Sequence, residues 1–82
     1  KKVVYIEYPK AEIWTIALVT GESKSRNGEE YYQVFVPTTP NPTSGFMLYL
    51  KKKDTKETDM SIDEGLKIII SGGMLAPETN EI

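Results

Sequence analysis

Ile13-Trp14-Thr15-Ile16-Ala17-Leu18-Val19-Thr20 decides the fold. Successive side chains of an extended chain point to opposite sides. Trp14, Ile16 and Leu18 therefore share one side, and Ile13, Thr15, Ala17 and Val19 share the other. Both sides are largely apolar, so this strand belongs at the centre of a sheet with cover on both faces. Each of its large side chains contributes roughly 1.5–3 kcal/mol when buried.

The neighbouring stretches repeat the period of two. Towards the N-terminus, Val4, Ile6 and Tyr8 alternate with Val3, Tyr5 and Glu7, and Pro9 ends the run because proline cannot donate to a ladder. Residues 10–12 read as a turn. Towards the C-terminus, residues 21–30 are polar, and Asn27-Gly28 is a type I′ turn signal. This predicts a hairpin loop with a mobile tip, and plain solvation is preferred there over partner binding. Residues 31–36 alternate aromatic and β-branched side chains, a good strand pattern. Residues 46–50 place Phe46, Leu48 and Leu50 opposite Met47 and Tyr49. The only basic cluster, Lys51-Lys52-Lys53 with Lys56 nearby, reads as a guarded strand end rather than a lipid-binding patch, because Asp54, Glu57 and Asp59 dilute its field. Residues 55–59 read as a short, exposed edge strand.

The period then changes. Ser61-x-x-Glu64 is a capping box, and Asp63 and Glu64 suit the positive start of a helix. Ile62, Leu66, Ile69 and Ile70 follow as an apolar stripe. Gly65 costs about 1 kcal/mol against alanine in a helix, and close packing on the sheet would account for it. Ser71-Gly72-Gly73 stops the helix, with a glycine taking the left-handed position. Residues 1–76 form one domain in this reading, and residues 77–82 a loose polar tail. The expected fold is α+β: a mostly antiparallel, twisted sheet of four or five strands, curling towards a partly open small barrel, with one C-terminal helix.

Composition excludes several chemistries. The chain has 82 residues and neither cysteine nor histidine. Cysteine nucleophiles and Ser-His-Asp arrangements are absent with them, as is the commonest metal ligand. Asp54, Glu57, Asp59, Asp63 and Glu64 lie near one another but lack calcium-loop spacing. The 10 basic and 12 acidic residues are interspersed, so there is no basic footprint for nucleic acid. No apolar run is long enough to cross a membrane as a helix. The opening Lys1-Lys2 leads directly into a strand without an initiator methionine, which leads us to expect a domain excised from a larger protein. We expect no enzyme activity, no cofactor and no metal site.

What remains is the stretch Pro37-Thr38-Thr39-Pro40-Asn41-Pro42-Thr43-Ser44-Gly45. Its candidate binding residues are Thr38, Thr39, Asn41, Thr43, Ser44 and Gly45, whose amides and side chains could hold a small molecule or anion. The prolines remove donors and stiffen the chain, and no phosphate-loop spacing is present. A rigid, polyproline-like crossover with an Asx turn at Asn41 is therefore preferred to a ligand site. Ser44 or Thr39 as a lysine-activated nucleophile has no support beyond the Ser44-Gly45 pair, and a structural turn serine is preferred.

The run Val-Phe-Val-Pro-Thr-Thr-Pro-Asn-Pro-Thr-Ser-Gly-Phe over 34–46 resembles the signature of a family of membrane proteins, domain of unknown function five-hundred-two, which includes the plant LIKE-COV (continuous vascular ring) proteins. Val4-Tyr5-Ile6-Glu7-Tyr8-Pro9, Ile13-Trp14, Val19-Thr20-Gly21, Asp59-Met60-Ser61 and Ile69-Ile70-Ser71-Gly72-Gly73 match in the same order, and residues 22–30 look variable. The resemblance implies transmembrane helices upstream, joined to this soluble domain, which we expect on the cytoplasmic side. It supplies no reaction and no assigned site residues. The expected function is that of a non-catalytic domain serving assembly or partner binding, with a protein partner or homo-oligomer and no nucleic acid. The alternative is a small-molecule or anion sensor using residues 37–45.

Overall fold

The computed structural model describes residues 2–82. Five strands form one antiparallel sheet: β1 (Val3–Glu7), β2 (Trp14–Lys24), β3 (Glu30–Pro37), β4 (Gly45–Lys51) and β5 (Thr55–Glu57). A 3₁₀ turn (Lys52–Asp54) joins β4 to β5, and α1 (Ile62–Ile70) follows. The strand order is β4-β3-β2-β1-β5, so β2 is central, as its two apolar faces require.

Each face of β2 feeds its own core. Ile16, with Trp14 and Leu18 packed against it, joins Val3, Tyr5 and Ile69 under α1. Ala17 and Val19 join Val4, Ile6, Tyr32, Val34 and Val36 on the opposite face, with Tyr8, Leu48 and Leu50 against them. No described helix covers this second face. The sheet covers it by rolling up. The two edge strands, β4 and β5, are joined by only three residues, which no flat five-stranded sheet would allow. Contacts across the mouth confirm the roll. The rings of Tyr8 and Phe46 lie 5.2 Å apart, and Tyr32 on β3 donates to Glu57 on β5 at 2.8 Å. Among the described residues no ladder joins β4 to β5, so the barrel is open.

Three local expectations are corrected. β2 extends to Lys24, past a bulge between Val19 and Gly21, so the hairpin loop is shorter than residues 21–30. The bulge absorbs the extra residue and lets the ladder continue through a polar sequence. Asn27 does not take positive φ; only Gly28 does (φ 88°), so the turn is not type I′. In α1, the face against the sheet runs through Ile62, Gly65, Ile68 and Ile69, whereas Ile70 is exposed. Gly65 sets this face: a Cβ there would lie 3.3 Å from Val3 Cγ2. The predicted ends of α1 are present. Ser61 and Glu64 form the capping box. At the other end, the amides of Gly72 and Gly73 donate to Ile69 and Ile68 in a Schellman arrangement.

Candidate functional site

Residues 38–44 link β3 to its direct neighbour β4, so they form a hairpin connection and not a crossover. The loop is braced by its own side chains. The Thr38 hydroxyl donates to the Asn41 carbonyl at 2.7 Å and lies 2.8 Å from Ser44 Oγ, while the Thr38 amide donates to the Ser44 carbonyl at 2.9 Å. Asn41 Oδ1 accepts from the Thr43 amide at 3.1 Å and the Thr43 hydroxyl at 2.6 Å, which is the expected Asx turn. The Thr39–Pro40 peptide is cis. Gly45 sits where the loop re-enters the sheet, and a Cβ there would fall 2.1 Å from the Val36 carbonyl oxygen.

Thr39 behaves differently from the others. Its hydroxyl donates to the carbonyl of Ile69 at the end of α1. That carbonyl also accepts from the Gly72 and Ser71 amides. Thr39 thereby ties the β3–β4 connection to the helix terminus. Beside it lies a shallow groove of about 340 Å³, lined by Trp14, Ile16, Pro37, Thr39, Ile68 and Gly72 among others. The six candidate residues thus divide. Side-chain oxygens of Thr38, Asn41, Thr43 and Ser44 engage within the loop, Thr39 docks on α1, and Gly45 serves backbone packing.

A second polar cluster had no counterpart in the sequence analysis. Lys2 Nζ donates to Tyr32 Oη at 3.1 Å and pairs with Glu57 at 3.2 Å; Tyr32 donates to the same carboxylate. Lys52 pairs with Glu22 and, at 3.5 Å, with Glu30. Both ammonium groups lie over the Tyr32 ring, at 5.4 and 5.2 Å from its centre. The Tyr32 hydrogen bond, aided by Lys2, lowers the Glu57 pKa; Lys52 does the same for Glu22. Lys2 is raised by Tyr32 and Glu57, and Lys52 by Glu22. The cluster closes the open rim of the rolled sheet. Its signal lay in parity: Tyr32 is opposite Glu22, and Glu57 is opposite Val4, so all face the concave core. That parity is readable only once the β2 bulge and the β1–β5 pairing are known. Among the described residues, no three acidic side chains gather to hold a metal.

A family model described as a protein of unknown function, DUF502, matches residues 1–44. The chain belongs to the DUF502 family. Two curated relatives from Arabidopsis thaliana agree with this. Protein LIKE COV 3 is 32% identical over 80 residues, covering 94% of this chain and 29% of its own length. Protein CONTINUOUS VASCULAR RING 1 is 30% identical over 81 residues, covering 95% of this chain and 30% of its own. The chain thus spans under a third of the curated relatives it matches. No solved structure matches it. No described helix is long and apolar enough to cross a membrane.

Proposed function

We propose that this chain is a non-catalytic domain of a membrane-anchored DUF502 protein, and that it serves assembly. One observation carries the reading: the hydroxyls of Thr38, Thr43 and Ser44 and the Asn41 side-chain oxygen are turned on one another, and the Thr39 hydroxyl is turned on the end of α1. A loop built this way stiffens the β3–β4 hairpin and holds it against the helix. It presents a shaped surface and does not enclose a substrate. The relatives are about three times as long as the chain, which supports a domain working beside other segments. In this reading the anchor lies in those segments.

The test is the native mass of the full-length protein in mild detergent, with and without this domain. Deletion is expected to lower the number of protomers per particle, beyond the mass of the domain removed. If the protomer number and co-purifying partners are unchanged, the domain does not serve assembly. Titration of the chain with phosphate and nucleotides, followed by amide shifts, is expected to leave residues 37–45 unmoved.

A further inference from the structure

The two edges of the sheet differ in how they are protected. β5 is three residues long and carries Lys56 and Glu57. The C-terminal residues also reach it: Lys56 donates to the Ile82 carbonyl, and Glu81 accepts from the Asp59 amide nearby. Those are the usual devices against edge-to-edge pairing. β4 carries only one of them, Lys51 at its last position. It runs for seven residues, Gly-Phe-Met-Leu-Tyr-Leu-Lys, without a proline and with no charge before its last position. Nothing among the described residues pairs with its outer side.

The hydrogen-bond phase of that edge can be worked out. Thr38 N donates to Ser44 O, and this pair is in register with Val36↔Phe46 and Val34↔Leu48. Hydrogen-bonded and non-bonded pairs alternate along an antiparallel ladder. Phe46, Leu48 and Leu50 therefore bond inward to β3, while Gly45, Met47, Tyr49 and Lys51 aim their N–H and C=O groups at the free edge. Met47 and Tyr49 are also 53% and 60% exposed, on the outer face that α1 leaves open because it covers β1 and β2.

We propose that β4 is a self-association edge, pairing antiparallel with β4 of a second copy about a two-fold axis at Leu48. This rests on the assembly reading above and names its partner. The arrangement is self-complementary. Met47 falls opposite Tyr49 of the second copy, twice, as hydrogen-bonded pairs that use the outward groups on both strands. All seven residues overlap, and each pair brings thioether to aromatic ring. Charge fits as well. Lys51 falls opposite Gly45 of the second copy, so the two lysine clusters stand at opposite ends of the joint, about 20 Å apart and beyond a Debye length. A seven-residue edge is small for a stable interface. The isolated chain should pair only at on the order of 0.1–1 mM, and co-anchoring in a membrane supplies the effective concentration.

The 82 residues hold no cysteine, so thiols introduced there report alone. The experiment mixes Met47→Cys and Tyr49→Cys variants, each of the 82-residue chain and of the full-length protein in membranes with any cysteine outside these residues replaced by serine, under mild oxidation. The expected result is a 47–49 cross-link and little homo-linking of either variant. Only the mixed pair comes within the roughly 5.5 Å Cα separation that a disulfide spans. Sedimentation equilibrium adds a charge test. Met47→Lys with Tyr49→Lys should weaken the dimer by about tenfold or more. Met47→Lys with Tyr49→Glu, which restores opposite charges across the joint, should recover it. Dominant homo-links, a ring larger than a dimer, or a monomer at millimolar concentration would each overturn the proposal. If the full-length protomer number still depends on the domain while these variants have no effect, assembly stands and this edge is wrong.

Discussion

Gly45 is the position where one added carbon costs most. A Cβ there would meet the Val36 carbonyl oxygen at 2.1 Å, and Phe35 Cζ and Pro37 Cα at 2.9 Å, so backbone itself must move. Gly45→Ala is expected to lose on the order of 1–3 kcal/mol, as overpacked sites do. Gly28→Ala is the control: its φ is also positive, but nothing lies within 4 Å, leaving a conformational cost of about 1 kcal/mol. Urea denaturation of the two variants decides the matter, and equal losses would refute the contact argument. Thr39→Val tests the tie to α1. It keeps the shape and removes the hydroxyl, so about 1 kcal/mol should go, with amide-exchange protection lost first at residues 69–73. At this scale the sequence was only partly legible. Ser-Gly announces a turn, and Asn41-Pro42-Thr43 announces an Asx turn. Nothing local announces that Gly45 abuts Val36 or that Thr39 reaches thirty residues ahead to Ile69, because both depend on which strands become neighbours.

Among the elements, α1 depends most on its ends. Nine residues are too few for a stable isolated helix, so capping and docking decide whether it forms. Ser61→Ala removes the side-chain acceptor of the Glu64 amide and should cost about 1 kcal/mol. Glu64→Gln can keep the return hydrogen bond to the Ser61 amide and should cost less. Thermal unfolding followed by circular dichroism would rank the two, and the reverse order would mean that charge at the helix start matters more than the cap. Strand faces were legible throughout, since alternation at residues 3–8, 13–20 and 46–50 survives any choice of topology. The end of β2 was not. Gly21-Glu22-Ser23-Lys24 looks like a loop by composition, yet it pairs with β3 because a bulge at Thr20 resets the register. The helix face was misjudged by one position for a related reason. Counting apolar residues favoured Ile70, while the absence of a side chain at Gly65 lets the sheet approach there and brings Ile68 inward.

The rolled sheet is a property of the whole molecule, and its rim couples stability to pH. A flat reading of five strands leaves Tyr32 and Glu57 three strands apart, so their contact could not be anticipated without the roll. Glu57 and Glu22 have folded pKa values below the ordinary carboxylate value of 4.5. The unfolded chain therefore takes up protons first as pH falls, and the stability these groups add above that value is lost as pH drops through their folded values. Lys2 and Lys52 are raised above 10.5, so their contribution is present below that pH and disappears as pH rises through their folded values. Burial of Tyr5 raises its phenol and adds to the alkaline loss, because the unfolded chain ionises first. The melting temperature should thus be flat between these limits and fall on both sides. Replacing Glu22 and Glu57 with glutamine should lower the plateau and flatten the acid limb, while leaving the alkaline fall due to Tyr5. Salt should reduce the difference between variant and parent, since the rim pairs are exposed. An acid limb as steep in the double variant as in the parent would mean that carboxylates elsewhere govern acid unfolding, and that the rim closes the barrel without tuning its stability.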